Sequence, residues 1–289
     1  MVIDFHTHIF PDRLAPRALD ALKLGIYRQQ GADYRQGEAL NVCMPTAEGL
    51  LALMQQAGID KSVCLSVATN VHQQSAVNRF AYTIPQYGKA HGNSLCAFGA
   101  VHPQAPDWAE QLDMIARIGL SGVKLHPQFQ ETDFDAPEML RIMRKAAQLG
   151  LPVIFHAGED IGLPPPTRTT PQKIRNVLDK IDGCTLIAAH LGGWEMWDDV
   201  ERYLVGTPVY FDTAFISRFL TQEQCLRIIR NHGADRILFG SDAPWENPAD
   251  TLRYLRGLPL TEEEFAKITH RNALRLLKAP ENKEEPDDI

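Results

Sequence analysis

Short apolar runs punctuate this chain at regular intervals. They are residues 2–8 (VIDFHTH), 62–68 (SVCLSVA), 95–102 (LCAFGAVH), 122–126 (GVKLH), 152–156 (PVIFH), 185–190 (TLIAAH), 209–212 (VYFD) and 236–242 (RILFGSD). Their near-continuous apolar character, rich in β-branched residues, predicts parallel strands buried on both faces. Amphipathic stretches lie between them. Asp107 stands where it would cap a helix carrying Trp108, Leu112 and Ile115 that stops at Gly119, and Asp135 before a helix running through Leu140, Ile142 and Met143 to Gly150. Thr170 followed by Pro171 is a helix start, with Ile174, Val177, Leu178 and Ile181 on one face and Gly183 as the end. Thr221 with Gln224, and Thr261 with Glu264, read as capping boxes.

Strands and helices that alternate in this way predict a closed (β/α)8 barrel, an α/β fold in a single domain over residues 1–279. A doubly wound open sheet competes, but no glycine-rich dinucleotide fingerprint follows the first strand. Two segments break the alternation: residues 25–46, after the first strand and a short helix, and residues 159–171 (EDIGLPPPTRTTP), after the fifth strand. In a barrel both leave from the C-terminal ends of strands, where active-site loops belong. Residues 280–289 are charged and proline-containing and read as a disordered tail.

Bulk properties narrow the class. The 289 residues are 44% hydrophobic and 22% charged, as in an ordinary globular protein, so a substantial core is available. A net charge of −7 argues against a nucleic-acid-binding surface. No apolar run approaches a membrane span, and no basic segment followed by an apolar one marks secretion. The cysteines Cys43, Cys64, Cys96, Cys184 and Cys225 are scattered, which fits reduced thiols and a cytoplasmic location.

The chemistry gathers at the strand tips. The first strand ends in His6 and His8, the third in His102, the fourth in Lys124 and His126, the fifth in His156, the sixth in His190, the seventh in Asp212 and the eighth in Asp242. Those ends converge on one rim of a barrel, where barrel enzymes act. Strict strand alternation puts Asp4, His6 and His8 on one face, and it sets Lys124 one step deeper than His126, level with Asp4. A neutralising Lys124–Asp4 pair, or a substrate contact by Lys124, is the expectation there.

The motifs DFHTHIFP, GVKLHP, FHAG, AHLGGW and FGSDAPW, in that order, resemble the metal-dependent amidohydrolase superfamily. The closer likeness is to the amidohydrolase-related (amidohydrolase 2) branch, which holds small hydrolases and lactonases beside non-oxidative decarboxylases such as aminocarboxymuconate semialdehyde decarboxylase. The resemblance implies one divalent metal on His6, His8, His156 and Asp242. Imidazoles with a carboxylate suit zinc, and manganese or iron are alternatives. It also implies that His190 polarises the substrate or orients the water, and it leaves a carboxylated Lys124 bridging two metals as the less favoured alternative to the roles given above.

The expected activity is hydrolysis of a small ester, lactone or amide by a metal-activated water, with Asp242 as base and then acid and His190 as an oxyanion donor. The alternatives are non-oxidative decarboxylation of a carboxylated aromatic or muconate-type acid, and a non-catalytic metal-binding barrel. Lys124, His126, His102, Arg168 and Trp245 are the candidate substrate contacts, with Trp194, Trp197, Tyr27, Arg28 and Arg35 further choices around the rim. The partners implied are a small-molecule substrate and, from the resemblance, a second copy in a homodimer.

Overall fold

The computed structural model describes residues 1–31 and 41–277. Arg35 and the charged tail lie outside the described residues. The strands are β1 (Ile3–Thr7), β2 (Lys61–Leu65), β3 (Ser94–Ala100), β4 (Val123–Leu125), β5 (Val153–Phe155), β6 (Leu186–Ala188), β7 (Tyr210–Asp212) and β8 (Ile237–Leu238). Each is parallel to the next, in the order of the chain. The ring closes just beyond β8, where Phe5 N–H donates to Phe239 O (2.8 Å), Asp242 N–H to His6 O (2.8 Å) and His8 N–H to Ala243 O (2.7 Å). This is the (β/α)8 barrel that the strand pattern predicts. Among the described residues no helix is long and apolar enough to cross a membrane.

Two apolar layers hold the barrel. Ile3, Phe5, Val63, Leu65, Phe98, Ile154, Ile187 and Leu238 form one buried cluster that fills the centre. Their strand neighbours Val123, Leu125, Val153, Phe155, Phe211 and Phe239 face outward against the helices. The inner layer sits deep in the barrel, so the polar strand tips above it are the floor of the site.

Helix starts follow the sequence signals unevenly. Thr170 accepts Lys173 N–H at the head of Pro171–Leu178, and Thr261 with Glu264 forms a complete capping box. Thr221 accepts Gln224 N–H, but the Gln224 amide reaches Asp198 and Glu201 instead of turning back. Asp107 and Asp135 do not cap. Asp107 accepts from the amides of Gln74 and Gln111, and Asp135 from Asn176, so both carboxylates join neighbouring helices.

Candidate metal centre and active site

β1 does not alternate as a regular strand would. Its register slips between Asp4 and Thr7: Asp4 pairs with Ser62, whereas Thr7 pairs with Cys64. One extra residue in a strand is a bulge, and it reverses the faces beyond it. Ile3 and Phe5 therefore point to the centre and Asp4 points away. His6 and His8, past the bulge, return to the interior.

The expected Lys124–Asp4 pair is corrected by this shift. Asp4, fully buried, accepts from Ser241 Oγ (2.5 Å), Ser241 N–H (2.9 Å) and His6 N–H (3.2 Å). Burial pushes its carboxyl up to about 7, against those hydrogen bonds. Lys124 faces the opposite way, with Nζ 3.4 Å from His6 Nε2. Burial pulls its ammonium down to about 8, opposed by Asp212 and Asp242.

His6, His8 and Asp242 offer ligand atoms that all lie within 4.8 Å of one another. His8 Nδ1 is 2.9 Å from Leu65 O, and a carbonyl can only accept, so Nδ1 carries the proton. His6 Nδ1 donates to Asp212 Oδ2 at 2.8 Å. Both Nε2 atoms are then bare lone pairs, and they face each other at 3.1 Å. Asp242 Oδ1 lies 3.1 Å from His8 Nε2 and 3.4 Å from His6 Nε2. Two lone pairs and a carboxylate oxygen so close repel unless a cation lies among them. The donor set, two nitrogens and an oxygen with a carboxylate and a carbonyl holding the imidazoles from behind, fits a divalent transition ion. Burial by itself would raise Asp242, but His6, His8 and His190 hold its carboxyl below the usual range.

Two of the tips sit in left-handed backbone, His190 at φ 58° and Asp242 at φ 67°. Such conformations in non-glycine residues cluster at functional sites and cost about 1–3 kcal/mol each. Hydrogen bonds hold them there: His190 N–H donates to Asp212 Oδ1 (2.9 Å) and Asp242 N–H to His6 O. Asp212 thus orients His6 with one oxygen and His190 with the other. Its position at the tip of β7 was visible in the sequence, but its partners were not.

His156, expected beside His6 and His8, lies on the same rim, where the charges of Lys124, Asp242 and Asp212 act on it. Its ring stacks on His126 (centroids 4.5 Å, planes 12° apart), its Nδ1 is 3.0 Å from His190 Nε2, and its Nε2 is 2.9 Å from Glu159 O. The structure groups it with His126 and Asp160, whose ligand atoms also lie within 4.8 Å of one another. Burial pulls His156 and His190 down to about 4. Asp160, on the loop after β5, carried no recognisable strand or helix signal, and the sequence gives no reason to single it out.

The remaining candidates are scattered. His102 is buried, accepts Gln104 N–H at Nδ1 and donates its backbone N–H to Gln74 Oε1. Arg168 lies 3.6 Å from Asp133, which Lys173 also holds. Trp245 is half-buried and donates its backbone N–H to Asp242 O (2.8 Å). Trp197 donates Nε1–H to His190 O, and Trp194 packs on Phe215 and Phe219.

A parallel barrel with a cation-ready cluster at its C-terminal rim defines a class of metal-dependent barrel enzymes. The amidohydrolase family profile (Amidohydro_2) matches residues 3–279, and the chain belongs to that family. No curated protein matches the sequence. Among solved structures, it is similar to 5-carboxyvanillate decarboxylase from Novosphingobium aromaticivorans with bound manganese (15% identity, 96% of this chain and 97% of that one, TM-score 0.72). It is also similar to 2,6-dihydroxybenzoate decarboxylase from Rhizobium (17%, 96% and 98%, TM-score 0.66) and to an uncharacterized TIM-barrel protein from Bordetella bronchiseptica (22%, 96% and 98%, TM-score 0.70).

Proposed function

We infer that the protein is a metal-dependent, non-oxidative decarboxylase of a small carboxylated aromatic acid. The observation that carries this reading is the pairing of a cation-ready cluster with a buried amine. Lys124 Nζ lies 3.4 Å from His6 Nε2, within the same cluster that Asp242 and His8 complete. An ammonium beside a divalent cation suits an anionic carboxylate better than a neutral ester. The likeness to aromatic-acid decarboxylases supports the same choice over hydrolysis, which the sequence motifs favour.

His6, His8 and Asp242 would hold the metal, which supplies Lewis acidity toward the substrate's oxygens when bound. Lys124 binds the carboxylate and offsets its charge. The bond between ring carbon and carboxyl carbon then breaks, its electron pair stays on the ring carbon, and carbon dioxide leaves. A proton must replace it. Asp242, ionised in the resting site, collects that proton from a substrate hydroxyl and delivers it to the ring carbon. His190, anchored through Nδ1–H on Ala214 O (2.9 Å), accepts at Nε2 from His156 Nδ1 (3.0 Å) and so fixes the His156 ring on the rim.

The test is a product assay. Protein loaded with zinc or manganese is incubated with hydroxylated benzoic acids and, separately, with a panel of esters, lactones and amides. Carbon dioxide release from the acids is expected. Acid release from the second panel without any carbon dioxide from the first would return the assignment to hydrolysis.

A further inference from the structure

We propose that Asp4 and Ser241 are positioning residues that together set the spacing between His6 and Asp242. Backbone hydrogen bonds already close the barrel at this seam, through Phe5 N–H on Phe239 O and His8 N–H on Ala243 O. Asp4 is an addition to them, and a costly one, because a carboxyl taken out of water loses its hydration. It is fully buried, and its partners are uncharged. Ser241 Oγ–H donates to Oδ2 (2.5 Å), while Ser241 N–H (2.9 Å) and His6 N–H (3.2 Å) share Oδ1. Ser241 Oγ also accepts Ala243 N–H at 3.1 Å, so its one hydrogen is left for Asp4.

One oxygen thus grips backbone on both sides of the seam, at the first imidazole of the cluster and at the residue before its carboxylate. These are the places where the chain is irregular. β1 slips register between Asp4 and Thr7, and a bulge disrupts the ladder that would otherwise fix its backbone. Beyond β8, Asp242 takes φ 67°, a conformation that a non-glycine residue keeps only where its surroundings hold it. The backbone of His6 is pinned at both ends, its N–H on Asp4 and its C=O under Asp242 N–H (2.8 Å). The strands cannot draw closer either, since a Cβ at Gly240 would come within 2.9 Å of His6 Cβ. Close packing bounds the seam from one side and the Asp4 hydrogen bonds from the other. His6 Nε2 and Asp242 Oδ1 are thereby held 3.4 Å apart. Asp4 touches neither ligand atom and acts through the two strand ends that carry them.

The proposal needs the cation cluster but not the decarboxylase reading, since it is read from metal binding. Cobalt(II), whose visible absorption reports the arrangement of its ligands, is titrated into metal-freed wild-type protein and variants. Asp4→Asn cannot accept at both oxygens, because its NH2 must meet either the Ser241 hydroxyl or the two N–H groups. It should weaken cobalt binding by about tenfold to a hundredfold, the range for losing an outer support of a metal ligand, and shift the visible band. Ser241→Ala removes only the hydroxyl contact and should do the same in smaller measure, and it carries the test should Asp4→Asn not fold. Asn272→Ala is the control. Asn272 is fully buried at the other end of β8 and donates to Ala234 O and Ile237 O (both 2.7 Å). Its loss should lower Tm and leave cobalt affinity and spectrum unchanged. Wild-type affinity and spectrum in whichever of Asp4→Asn and Ser241→Ala fold by circular dichroism would overturn the proposal and leave Asp4 as a support of the fold alone. Equal weakening of cobalt binding in Asn272→Ala would also overturn it, since any loss of stability at β8 would then suffice.

Discussion

At the scale of single residues, the site separates groups that bind from groups that react. His8 holds its Nδ1 proton on Leu65 O and so presents a lone pair at all times, whereas Asp242 offers two oxygens, one of them directed at both imidazoles. Asp242→Asn keeps one oxygen and the shape but cannot carry a proton, so metal should be partly retained while turnover collapses. His190 is not among the group of ligand atoms that His6, His8 and Asp242 form, although its ring lies 5.4 Å from that of His6. His190→Asn should therefore leave metal content nearly full and lower kcat by loosening the His156 ring that it holds. Elemental analysis and kinetics on the same preparations decide both points. Metal loss in His190→Asn would make His190 a ligand and remove its assigned role.

Elements decide where such residues point, and here the sequence was only partly legible. Every strand was visible because apolar runs buried on two faces leave a plain trace, and the tips His6, His8, Lys124, His126, His156, His190, Asp212 and Asp242 could be read from them. What alternation could not show was the bulge in β1, which inserts a residue without any compositional mark. It sent Asp4 to Ser241 and left Lys124 to the site. Tip residues from different strands also meet in ways that spacing does not encode: Asp212 holds both His6 and His190, and His156 stacks on His126. The contact between the end of the helix Gln222–His232 and the chain just before β7 offers a test of the packing. His232 closes the helix Gln222–His232, donates Nε2–H to Val209 O (2.8 Å), accepts Gly206 N–H and stacks on Phe211. Burial, with Arg236 assisting, pulls it from 6.5 to about 4. The unfolded chain thus takes up a proton at a higher pH than the folded one. This stability is fully present above the ordinary histidine pKa and is lost as pH falls toward 4, by about 3 kcal/mol in all. His232→Gln can make both hydrogen bonds without titrating, so urea unfolding should show a smaller loss between pH 7 and pH 4.5 than the wild type. Parallel losses in the two proteins would mean that His232 is not the group responsible.

For the molecule as a whole, the question is what closes the rim above the tips. The two irregular segments were expected to wall the pocket, and their described parts do meet. Gln30 Nε2–H donates to Ile161 O (3.3 Å), and Gly25 of the helix Ala15–Gln30 lies against the loop after β5. A Cβ at position 25 would come within 2.9 Å of Gly162 O, a backbone atom that cannot swing aside. Glycine at 25 therefore sets how closely the helix approaches the loop that carries Asp160, and Gly162 is the residue whose N–H holds Asp160 Oδ1. Gly25→Leu should push the two apart. Overpacking of this kind costs about 1–3 kcal/mol of stability, and the opened rim should raise KM for the substrate more than it lowers kcat. The cluster of His6, His8 and Asp242 is anchored on β1, β2 and β8, away from this contact, so its metal should stay. Thermal unfolding, steady-state kinetics and elemental analysis of the variant together make the test. An unchanged KM in a destabilised but metal-loaded protein would show that this junction serves the fold alone and that the substrate enters elsewhere on the rim.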